Sequence, residues 1–548
     1  MTQAETSLLT RIEQAAGSGS TAITFVGSGA PDRVEWAQLH EEARGVAAAL
    51  QVRGVAPGDH VALLGPTTRA LVTAIQAVWL AGAATVVLPV PMRMASIEEF
   101  IAQTRARIRR ADSKLLLIDP EFASFIEPQD GDPPLVGFDA LVGDPARYER
   151  PVDDPSRLAV LQFTSGATAD PKGVMLPHSH VIANLDGAAQ AGDLRDDDVF
   201  VSWLPLYHDM GFIGLLGLPM ITGTELILAP PQEFLASPSR WMEWMSEYGA
   251  TMTAGPNFAY ALATRALRRL PELDLSRWRM ALSGAEPVDP DTMHAFCEAG
   301  ARHRFDPAAV YPCFGMAEVA IAGTFPVPGA GLRLDSVDRD TLDMTGVAVP
   351  VEDGPGARRL PFLGRAVPGL EIRVCDPLSG KVVDDRQAGE LEIRGTSVTP
   401  GYYKHPEATA ATFHDGWLKT GDLAYLVDGE LVLCGRMKDM IIVAGRNVFP
   451  EDVERAVADV DGVRAGNVVA FGVEGRRGLE TVVVVAETKA DDIDPVRVAV
   501  AKRVKDAVGL AAGDVVLVSP GTLPKTSSGK LQRSLARTRY LAEELQPA

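Results

Sequence analysis

The 548-residue sequence has little cysteine, and the four cysteines that it has are far apart. Cys297, Cys313, Cys375 and Cys434 form no Cys-x-x-Cys pair, so neither a zinc site nor a disulfide framework is predicted. Thiols without partners suit a reducing compartment. Because the N-terminus also lacks a basic region followed by an apolar stretch, no signal peptide is predicted and we expect a cytoplasmic protein.

Positive charge is also in short supply. The chain has 52 Lys and Arg residues against 72 Asp and Glu residues, which gives a net charge of −20. This imbalance argues against nonspecific binding to nucleic acid or to an acidic membrane surface. An acidic protein partner would need a local basic patch, for which the pairs Arg302 with Arg304 and Arg476 with Arg477 are candidates.

Long apolar runs are nearly absent, and the longest uncharged stretch covers residues 70–91. A transmembrane helix is one interpretation of such a stretch. However, Leu71, Ile75 and Val78 keep helical spacing, Gly82 interrupts the run, and residues 85–88 have the character of a buried strand. We therefore predict a helix followed by a strand, and no stable membrane insertion.

Helical patterns alternate with short apolar runs through the first 325 residues, which predicts an α/β multidomain protein whose large N-terminal part contains two doubly wound α/β subdomains. Residues 329–362 are rich in glycine and proline and show little periodicity, so we expect an irregular insertion or edge region. Short strands follow and suggest a small β-barrel or sheet, and the tail from about residue 439 has the predicted order β, α, β, β, α, β of a small α+β domain. The predicted division is 1–437, with α/β subdomains at about 1–157 and 158–328, the insertion at 329–362 and a β subdomain at 363–437, and then 438–548.

A polar loop at residues 163–173 follows a predicted buried strand. Its hydroxyls, glycines and Lys172 could grip a phosphate through backbone N–H groups and a positive charge. The loop is not a P-loop, because five residues separate Gly166 from Lys172. On composition alone, an ordinary polar turn is an equally good interpretation.

Four more polar positions could carry chemistry, although each alone has a structural alternative. His208 follows a predicted strand, where open α/β sheets bind ligands, but a hydrogen-bonded wall histidine fits as well. Glu318 could hold a cation against phosphate oxygens. Asp422 could accept hydrogen bonds from two vicinal hydroxyls, and Lys530 lies in a Ser/Gly loop close to the C-terminus.

Taken in order from Thr164 to Lys530, these motifs resemble the adenylate-forming superfamily of acyl-CoA synthetases, luciferases and peptide-synthetase adenylation domains. Residues 204–211, 255–260, 283–288 and 445–450, together with the long connector at 329–362, resemble the fatty acyl-AMP ligases. The resemblance implies a large N-terminal domain and a small mobile C-terminal domain, with ATP and Mg²⁺ as cofactors. It also implies two steps, in which a fatty acid becomes an acyl-adenylate and the acyl group then passes to an acyl carrier protein supplied in trans.

The resemblance also implies residue roles. Lys530, Glu318 and His208 would be catalytic, Glu318 and Thr164 would hold Mg²⁺, and Lys438 would be the hinge. The nucleotide would be bound by Thr164, Ser165, Gly166, Thr168, Lys172, Ala285, Glu286, Phe314, Gly315, Asp422 and Arg436. The acyl pocket would be lined by Trp203, Met210, Phe212, Phe258 and Met316.

Two departures and two alternatives accompany the resemblance. The family's loop usually carries Ser or Thr where this chain has Ala167 and Gly where it has Ala169, so a looser pyrophosphate grip is expected. Ala317 replaces a threonine of many superfamily members, although fatty acyl-AMP ligases commonly have alanine there. The alternatives are a fatty acyl-CoA ligase and a noncatalytic acyl or nucleotide binder. Intact Lys172, Glu318, Asp422 and Lys530 count against the binder.

Overall fold

The computed structural model describes residues 6–19, 21–91, 97–164, 171–354, 356–443, 446–474, 480–526 and 530–548. Its α-helices are, in chain order, α1 Leu8–Gly17, α2 Trp36–Val52, α3 Arg69–Leu80, α4 Ile97–Arg110, α5 Pro120–Ala123, α6 His178–Ala191, α7 Leu218–Thr222, α8 Pro231–Ala236, α9 Ser239–Glu247, α10 Asn257–Leu267, α11 Pro290–Ala301, α12 Arg339–Thr345, α13 Pro406–Thr412, α14 Pro450–Ala458, α15 Asp494–Val508 and α16 Arg533–Leu541. A π-helix at Met210–Gly217 leads into α7.

The strands of the first 325 residues are β1 Ala22–Phe25, β2 Asp32–Glu35, β3 His60–Leu64, β4 Ala84–Val87, β5 Ser113–Ile118, β6 Leu135–Gly137, β7 Leu158–Phe163, β8 Gly173–Pro177, β9 Val199–Ser202, β10 Glu225–Leu228, β11 Met252–Gly255, β12 Met280–Ser283, β13 Val310–Pro312, β14 Phe314–Gly315 and β15 Ala322–Phe325. The later strands are β16 Leu334–Asp338, β17 Ala357–Pro361, β18 Arg365–Ala366, β19 Leu370–Cys375, β20 Gly389–Gly395, β21 Phe413–His414, β22 Trp417–Val427, β23 Glu430–Arg436, β24 Ile441–Val443, β25 Arg446–Val448, β26 Val463–Glu474, β27 Glu480–Thr488 and β28 Asp514–Val518.

Two mostly parallel sheets form the large part of the molecule. One has the strand order β13-β12-β11-β9-β10-β1-β2 and the other β6-β5-β3-β4-β7-β8. Helices cover the sheets and contribute to one shared apolar core, which includes the fully buried Trp79, Trp241 and Trp278. The doubly wound α/β arrangement expected from the alternating pattern is present.

The two sheets do not separate at residue 157. Ile23 of β1 pairs with Leu226 of β10, so the first two strands complete the sheet built mainly by residues 199–312. Conversely, β7 and β8 close the sheet built mainly by residues 60–137. Each half therefore lends two strands to the other, and the predicted division at 157 cuts through this exchange.

The uncharged stretch from residue 70 to 91 is a helix and a strand, as predicted. Helix α3 is buried on all sides, since Leu71 through Leu80 are all buried, and its N-terminus is capped by Thr68, which accepts a hydrogen bond from the Leu71 N–H at 3.4 Å. At about 1.5 Å per residue, its twelve residues are far shorter than the ~30 Å hydrocarbon layer. In the described part of the chain, no helix is long and apolar enough to cross a membrane.

Residues 329–362 are more ordered than their composition predicts. Strands β16 and β17 pair antiparallel from Leu334 with Pro361 to Asp338 with Ala357, and helix α12 lies between them. The expectation of an irregular region was wrong because the two strands pair across about twenty intervening residues, which local periodicity does not register. Beyond this hairpin, β19, β20, β21, β22 and β23 form a five-stranded sheet.

The C-terminal residues have their own apolar core. Strands β26, β27 and β28 form a three-stranded sheet, and α14 and α15 pack on it through valines such as Val453, Val457 and Val500. Gly509 ends α15 in the left-handed conformation, at φ 71°. The predicted order of elements is present, with β25 after β24 and α16 at the end as additions.

Candidate active site

The predicted site residues lie where several strands end. His208 follows β9, Glu286 follows β12 and Glu318 lies after β13 and β14; β13 and β12 are adjacent in the seven-stranded sheet, and β11 lies between β12 and β9. The carboxyl ends of parallel strands meet at one edge, and ligands bind there in open α/β sheets. Side chains about a hundred residues apart in sequence are thus brought to one crevice.

Lys530 reaches this crevice from the C-terminal part of the chain. Burial lowers the pKa of its ammonium group, while the Asp209 and Glu286 carboxylates act in the opposite direction and Arg436 adds to the lowering. Such mutual effects require the four charges to be close together. The structure therefore brings the loop before α16 next to residues that follow β9 and β12.

Asp209 is a site residue that sequence reasoning missed. Its Oδ1 lies 2.5 Å from the Nδ1 of His208 and accepts a hydrogen bond from the Met210 N–H at 2.8 Å. Although burial opposes ionisation, His208 and Lys530 hold the pKa of Asp209 below its usual range. The position of Asp209 directly after His208 was a signal that could have identified it.

Glu318 and Lys172 are joined through a tyrosine. The Tyr402 hydroxyl donates to Glu318 Oε1 at 2.8 Å, and the Lys172 ammonium lies 4.7 Å from the centre of the Tyr402 ring. Burial raises the pKa of Glu318, the Tyr402 hydrogen bond lowers it, and Asp209 raises it. Sequence reasoning did not include Tyr402, which lies 84 positions after Glu318.

Asp422 and Arg436 are cross-strand partners on β22 and β23, as their predicted shared role requires. Arg436 Nε lies 3.2 Å from Asp422 Oδ1, and Asp422 is 6% exposed. Burial raises the pKa of Asp422 to about 6, against the pull of the Arg436 charge. A buried carboxylate with one cationic neighbour retains acceptor capacity for hydroxyl groups.

Four of the predicted nucleotide-binding residues, Ala285, Glu286, Phe314 and Gly315, lie in locally constrained positions. Ala285 adopts φ 68°, a conformation that non-glycine residues rarely adopt. Glu286 accepts a hydrogen bond from the Phe258 N–H at 2.7 Å, at the start of α10. Phe314 is 8% exposed, and a Cβ on Gly315 would lie 1.9 Å from the Ile321 carbonyl oxygen, so only glycine fits there. Strained backbone of this kind often marks functional sites.

The phosphate loop is closed at its base by a backbone hydrogen bond of 3.0 Å from the Thr164 N–H to the Lys172 carbonyl oxygen. This bond continues the pairing of β7 with β8, where Phe163 faces Gly173. The predicted loop residues between them lie outside the described residues, and these are Ser165, Gly166 and Thr168 together with Ala167 and Ala169.

The predicted acyl-pocket residues divide into two groups. The ring centres of Trp203 and Phe234 are 3.7 Å apart in a stacked arrangement, and those of Phe212 and Trp79 are 5.7 Å apart. Trp203 and Phe212 therefore belong to the apolar core. The other three, Met210, Phe258 and Met316, are half-buried. Only the second group retains surface that an acyl chain could contact, and the pocket as a whole stays a prediction.

The remaining candidates lie on the surface. Lys438 is exposed within a 3₁₀ turn, Met437–Asp439, that joins β23 to β24. Arg304 pairs with Asp274 at 2.9 Å, and Arg302 donates to the Leu270 carbonyl oxygen at 3.0 Å. Both arginines follow the C-terminal end of α11, at the opposite end of the sheet from Lys530. Arg476 and Arg477 lie outside the described residues.

The fold and the crevice define the class of protein. A solved structure from a study of fatty acyl-adenylate ligases from E. coli and L. pneumophila superimposes with a TM-score of 0.91 and 30% identity, covering 98% of both chains. The chain therefore has the fold of adenylate-forming enzymes, with a large N-terminal and a small C-terminal domain.

The sequence comparisons identify the family. The sequence model of the AMP-binding enzyme family matches residues 12–403. A protein of Mycobacterium tuberculosis is 39% identical over 530 residues, covering 94% of this chain and 96% of that one. The medium-chain-fatty-acid–acyl-carrier-protein ligase JamA of Moorena producens is 30% identical over 554 residues, covering 96% and 93%. This chain belongs to the AMP-binding enzyme family, and it is an adenylate-forming ligase.

Proposed function

We propose that this enzyme activates a fatty acid with ATP to give an acyl-adenylate and pyrophosphate, and then transfers the acyl group to the phosphopantetheine thiol of an acyl carrier protein. The observation that carries the proposal is the placement of Lys530 beside Asp209 and Glu286, at the strand ends that also carry Glu318. The names of JamA and of the fatty acyl-adenylate ligases support the choice of substrate.

In the first step, a carboxylate oxygen of the fatty acid attacks the α-phosphorus and pyrophosphate leaves. Two anions must approach each other, so neutralising charge and fixing their orientation lower the barrier. Lys530 would contact the carboxylate and the α-phosphate, and Lys172 the leaving phosphates. Asp422 with Arg436 would hold the ribose, and Phe314 would lie against the adenine.

The residues present fit a nucleotide-bound Mg²⁺. Four carboxylates lie in the crevice, those of Asp209, Glu286, Glu318 and Asp422. Burial and Asp209 both raise the pKa of Glu318, and a divalent cation offsets such repulsion. Glu318 would hold the ion, with Thr164 as a second ligand. The ion would supply charge neutralisation for the phosphates.

In the second step, the carrier's thiol sulfur attacks the acyl carbonyl carbon, AMP leaves and the thiol proton is released. His208, paired with Asp209, lies in the same crevice as Lys530 and is included in the proposal as a catalytic group. The carrier would act as a separate chain, together with the fatty acid as substrate.

The proposal includes the division of the chain into 1–437 and 438–548, with Lys438 as the hinge. The separate apolar core of the C-terminal residues supports this division, as does the exposed turn at Lys438. Residues 329–362 contact the C-terminal part directly. Arg446 lies 2.6 Å from Asp340, and Arg358 lies 2.8 Å from Asp452. These contacts support a role of the insertion in restraining the C-terminal domain.

The test measures both steps with a panel of fatty acids. We expect pyrophosphate release that requires a fatty acid and Mg²⁺, and acylation of a holo-carrier protein detected as a mass increase. With CoA as the acceptor, we expect little acyl-CoA. Pyrophosphate release without any fatty acid dependence would refute the first half, and acyl-CoA formation as fast as carrier acylation would refute the second.

Lys530→Ala is the variant for the first step, with Lys502→Ala as the control at an exposed position of α15. Lys530→Ala should abolish most fatty-acid-dependent pyrophosphate release, because the Lys530 charge lowers the pKa of both Asp209 and Glu286. Equal rates for the two variants would contradict the role given to Lys530.

A further inference from the structure

Tyr402 touches both the proposed metal ligand and the proposed phosphate lysine. Its hydroxyl donates to Glu318 Oε1 at 2.8 Å, and its ring lies 4.7 Å from the Lys172 ammonium. The side chain is only 7% exposed. Glu318 and Lys172 are 146 positions apart in sequence, and Tyr402 is the side chain that bridges them.

The backbone around Tyr402 reinforces this bridge on both sides. The Thr399 N–H donates to the Glu318 carbonyl oxygen at 2.7 Å, and the Thr399 hydroxyl donates to the Met175 carbonyl oxygen at 2.6 Å. The Tyr403 N–H donates to the Gly173 carbonyl oxygen at 2.8 Å. Residues 399–403 therefore run from the backbone of Glu318 to the start of β8, next to Lys172.

The chemistry of the two contacts differs in a useful way. The Tyr402 hydroxyl is a neutral donor to the Glu318 carboxylate, with its oxygen 2.8 Å from Oε1. A hydrogen bond from a neutral donor to a carboxylate fixes its orientation and disfavours its protonation. The ring contact with Lys172 is a cation–π interaction, which needs the aromatic face but not the hydroxyl.

We propose that Tyr402 is a positioning residue that orients Glu318 toward the nucleotide-bound metal ion through its hydroxyl and places Lys172 at the phosphates through its ring. This inference rests on the proposed function, since it takes Glu318 as the metal ligand and Lys172 as the phosphate ligand. Tyr402 itself touches neither the acyl group nor the reacting phosphorus.

Two substitutions separate the two contacts. Tyr402→Phe removes the hydroxyl and keeps the ring, whereas Tyr402→Leu removes both. The neighbouring Tyr403 supplies a matched control, because its hydroxyl also donates to a carboxylate, Asp112, at 2.8 Å, but at an exposed position outside the crevice. Tyr403→Phe therefore deletes an equivalent hydrogen bond without touching Glu318.

Metal binding can be measured without turnover. Mn²⁺ replaces Mg²⁺ as the probe, α,β-methylene-ATP replaces ATP because its α–β bridge cannot be cleaved, and bound Mn²⁺ is counted by electron paramagnetic resonance. Loss of a group that orients a metal ligand typically weakens metal affinity about 10–100-fold, so Tyr402→Phe should weaken Mn²⁺ binding at least about tenfold. Tyr403→Phe should leave it unchanged. Tyr402→Leu should in addition weaken binding of the nucleotide.

A double-substitution cycle distinguishes positioning from a general structural effect. In a Glu318→Gln background the orienting bond has no carboxylate to act on, so Tyr402→Phe should add no further loss of Mn²⁺ affinity. Equal Mn²⁺ affinities for Tyr402→Phe and Tyr403→Phe would overturn the inference, and so would losses that simply add in the double variant. A wild-type enzyme that binds the metal–nucleotide pair but releases no fatty-acid-dependent pyrophosphate would refute the proposed function alone.

Discussion

Arg358 offers the sharpest test of how residues 329–362 contact the C-terminal part of the chain. Its guanidinium is 3% exposed and lies 2.8 Å from Asp452, 4.0 Å from the Phe449 ring centre, and 2.7 Å from the Cys434 carbonyl oxygen. One side chain of the hairpin thereby joins β23 to the start of α14. We expect Arg358→Met to loosen α14 from the rest of the molecule.

The expected free-energy cost of Arg358→Met follows from the burial of the Arg358–Asp452 ion pair. Removing one partner of a buried ion pair costs about 3–5 kcal/mol, because the other charge is left without compensation. The next residue, Arg359, makes a similar pair with Asp291 at 2.6 Å, but the two side chains are 32% and 62% exposed. Exposed pairs contribute about 0.2–1 kcal/mol, so Arg359→Met is a matched control with a small expected effect.

Hydrogen exchange measures the effect locally, which matters in a chain with more than one core. For α14 amides, a cost of at least about 3 kcal/mol corresponds to more than about a hundredfold faster exchange in Arg358→Met than in wild type, whereas Arg359→Met should change it less than about tenfold. Pairing Arg358→Met with Asp452→Asn should then recover part of the loss, because the uncompensated charge is gone. Equal exchange rates in the two single variants would refute the reasoning.

Three further outcomes are expected. Burial raises the pKa of Asp343 to about 6, so its stabilising contribution is complete below about pH 4 and is lost as the pH rises through 6. Between pH 4 and 7, the free energy of unfolding measured in urea titrations should therefore fall about 2–3 kcal/mol more in wild type than in Asp343→Asn. The same pH dependence in both proteins would contradict this. Arg533, three positions after Lys530, forms ion pairs with Asp439, Glu451 and Glu454. A lysine side chain cannot pair with all three carboxylates at once. In assays of each half-reaction, Arg533→Lys should slow adenylation more than acyl transfer from preformed acyl-adenylate. Equal slowing of the two half-reactions would contradict this expectation. Finally, Phe212→Leu should lower the melting temperature without changing fatty-acid chain preference, since the Phe212 ring packs on Trp79. A changed preference in substrate profiling would instead assign Phe212 to the acyl pocket.

The sequence predicted the parts of the fold that depend on local patterns. The spacing of Leu71, Ile75 and Val78 identified α3, and the break at Gly82 separated it from β4. Local patterns could not identify the exchange of strands between the two large sheets, because Ile23 pairs with Leu226. Pairing across about two hundred residues depends on tertiary packing, not on local periodicity.

The same distinction applies to the site. The loop residues Thr164 and Lys172, the metal candidate Glu318 and the carboxylate Asp422 stood out because each lies in a short motif with a chemical rationale. Tyr402 did not stand out, since a tyrosine in a strand-rich region resembles any core aromatic until its contact with Glu318 is known. Large apolar residues near a motif were the least informative, because core and pocket residues have the same composition.

The exchanged strands affect how the chain is made. Strand β1 needs β10 as its parallel neighbour, and the ribosome synthesises β10 about two hundred residues later. At about 5–20 residues per second, the N-terminal hairpin of β1 and β2 waits roughly 10–40 s for that neighbour. The six-stranded sheet, whose last strand ends at Pro177, is complete before then. Translation therefore delivers the sheet without His208 first, and the sheet that carries His208 is completed only when a segment from the start of the chain docks onto β10.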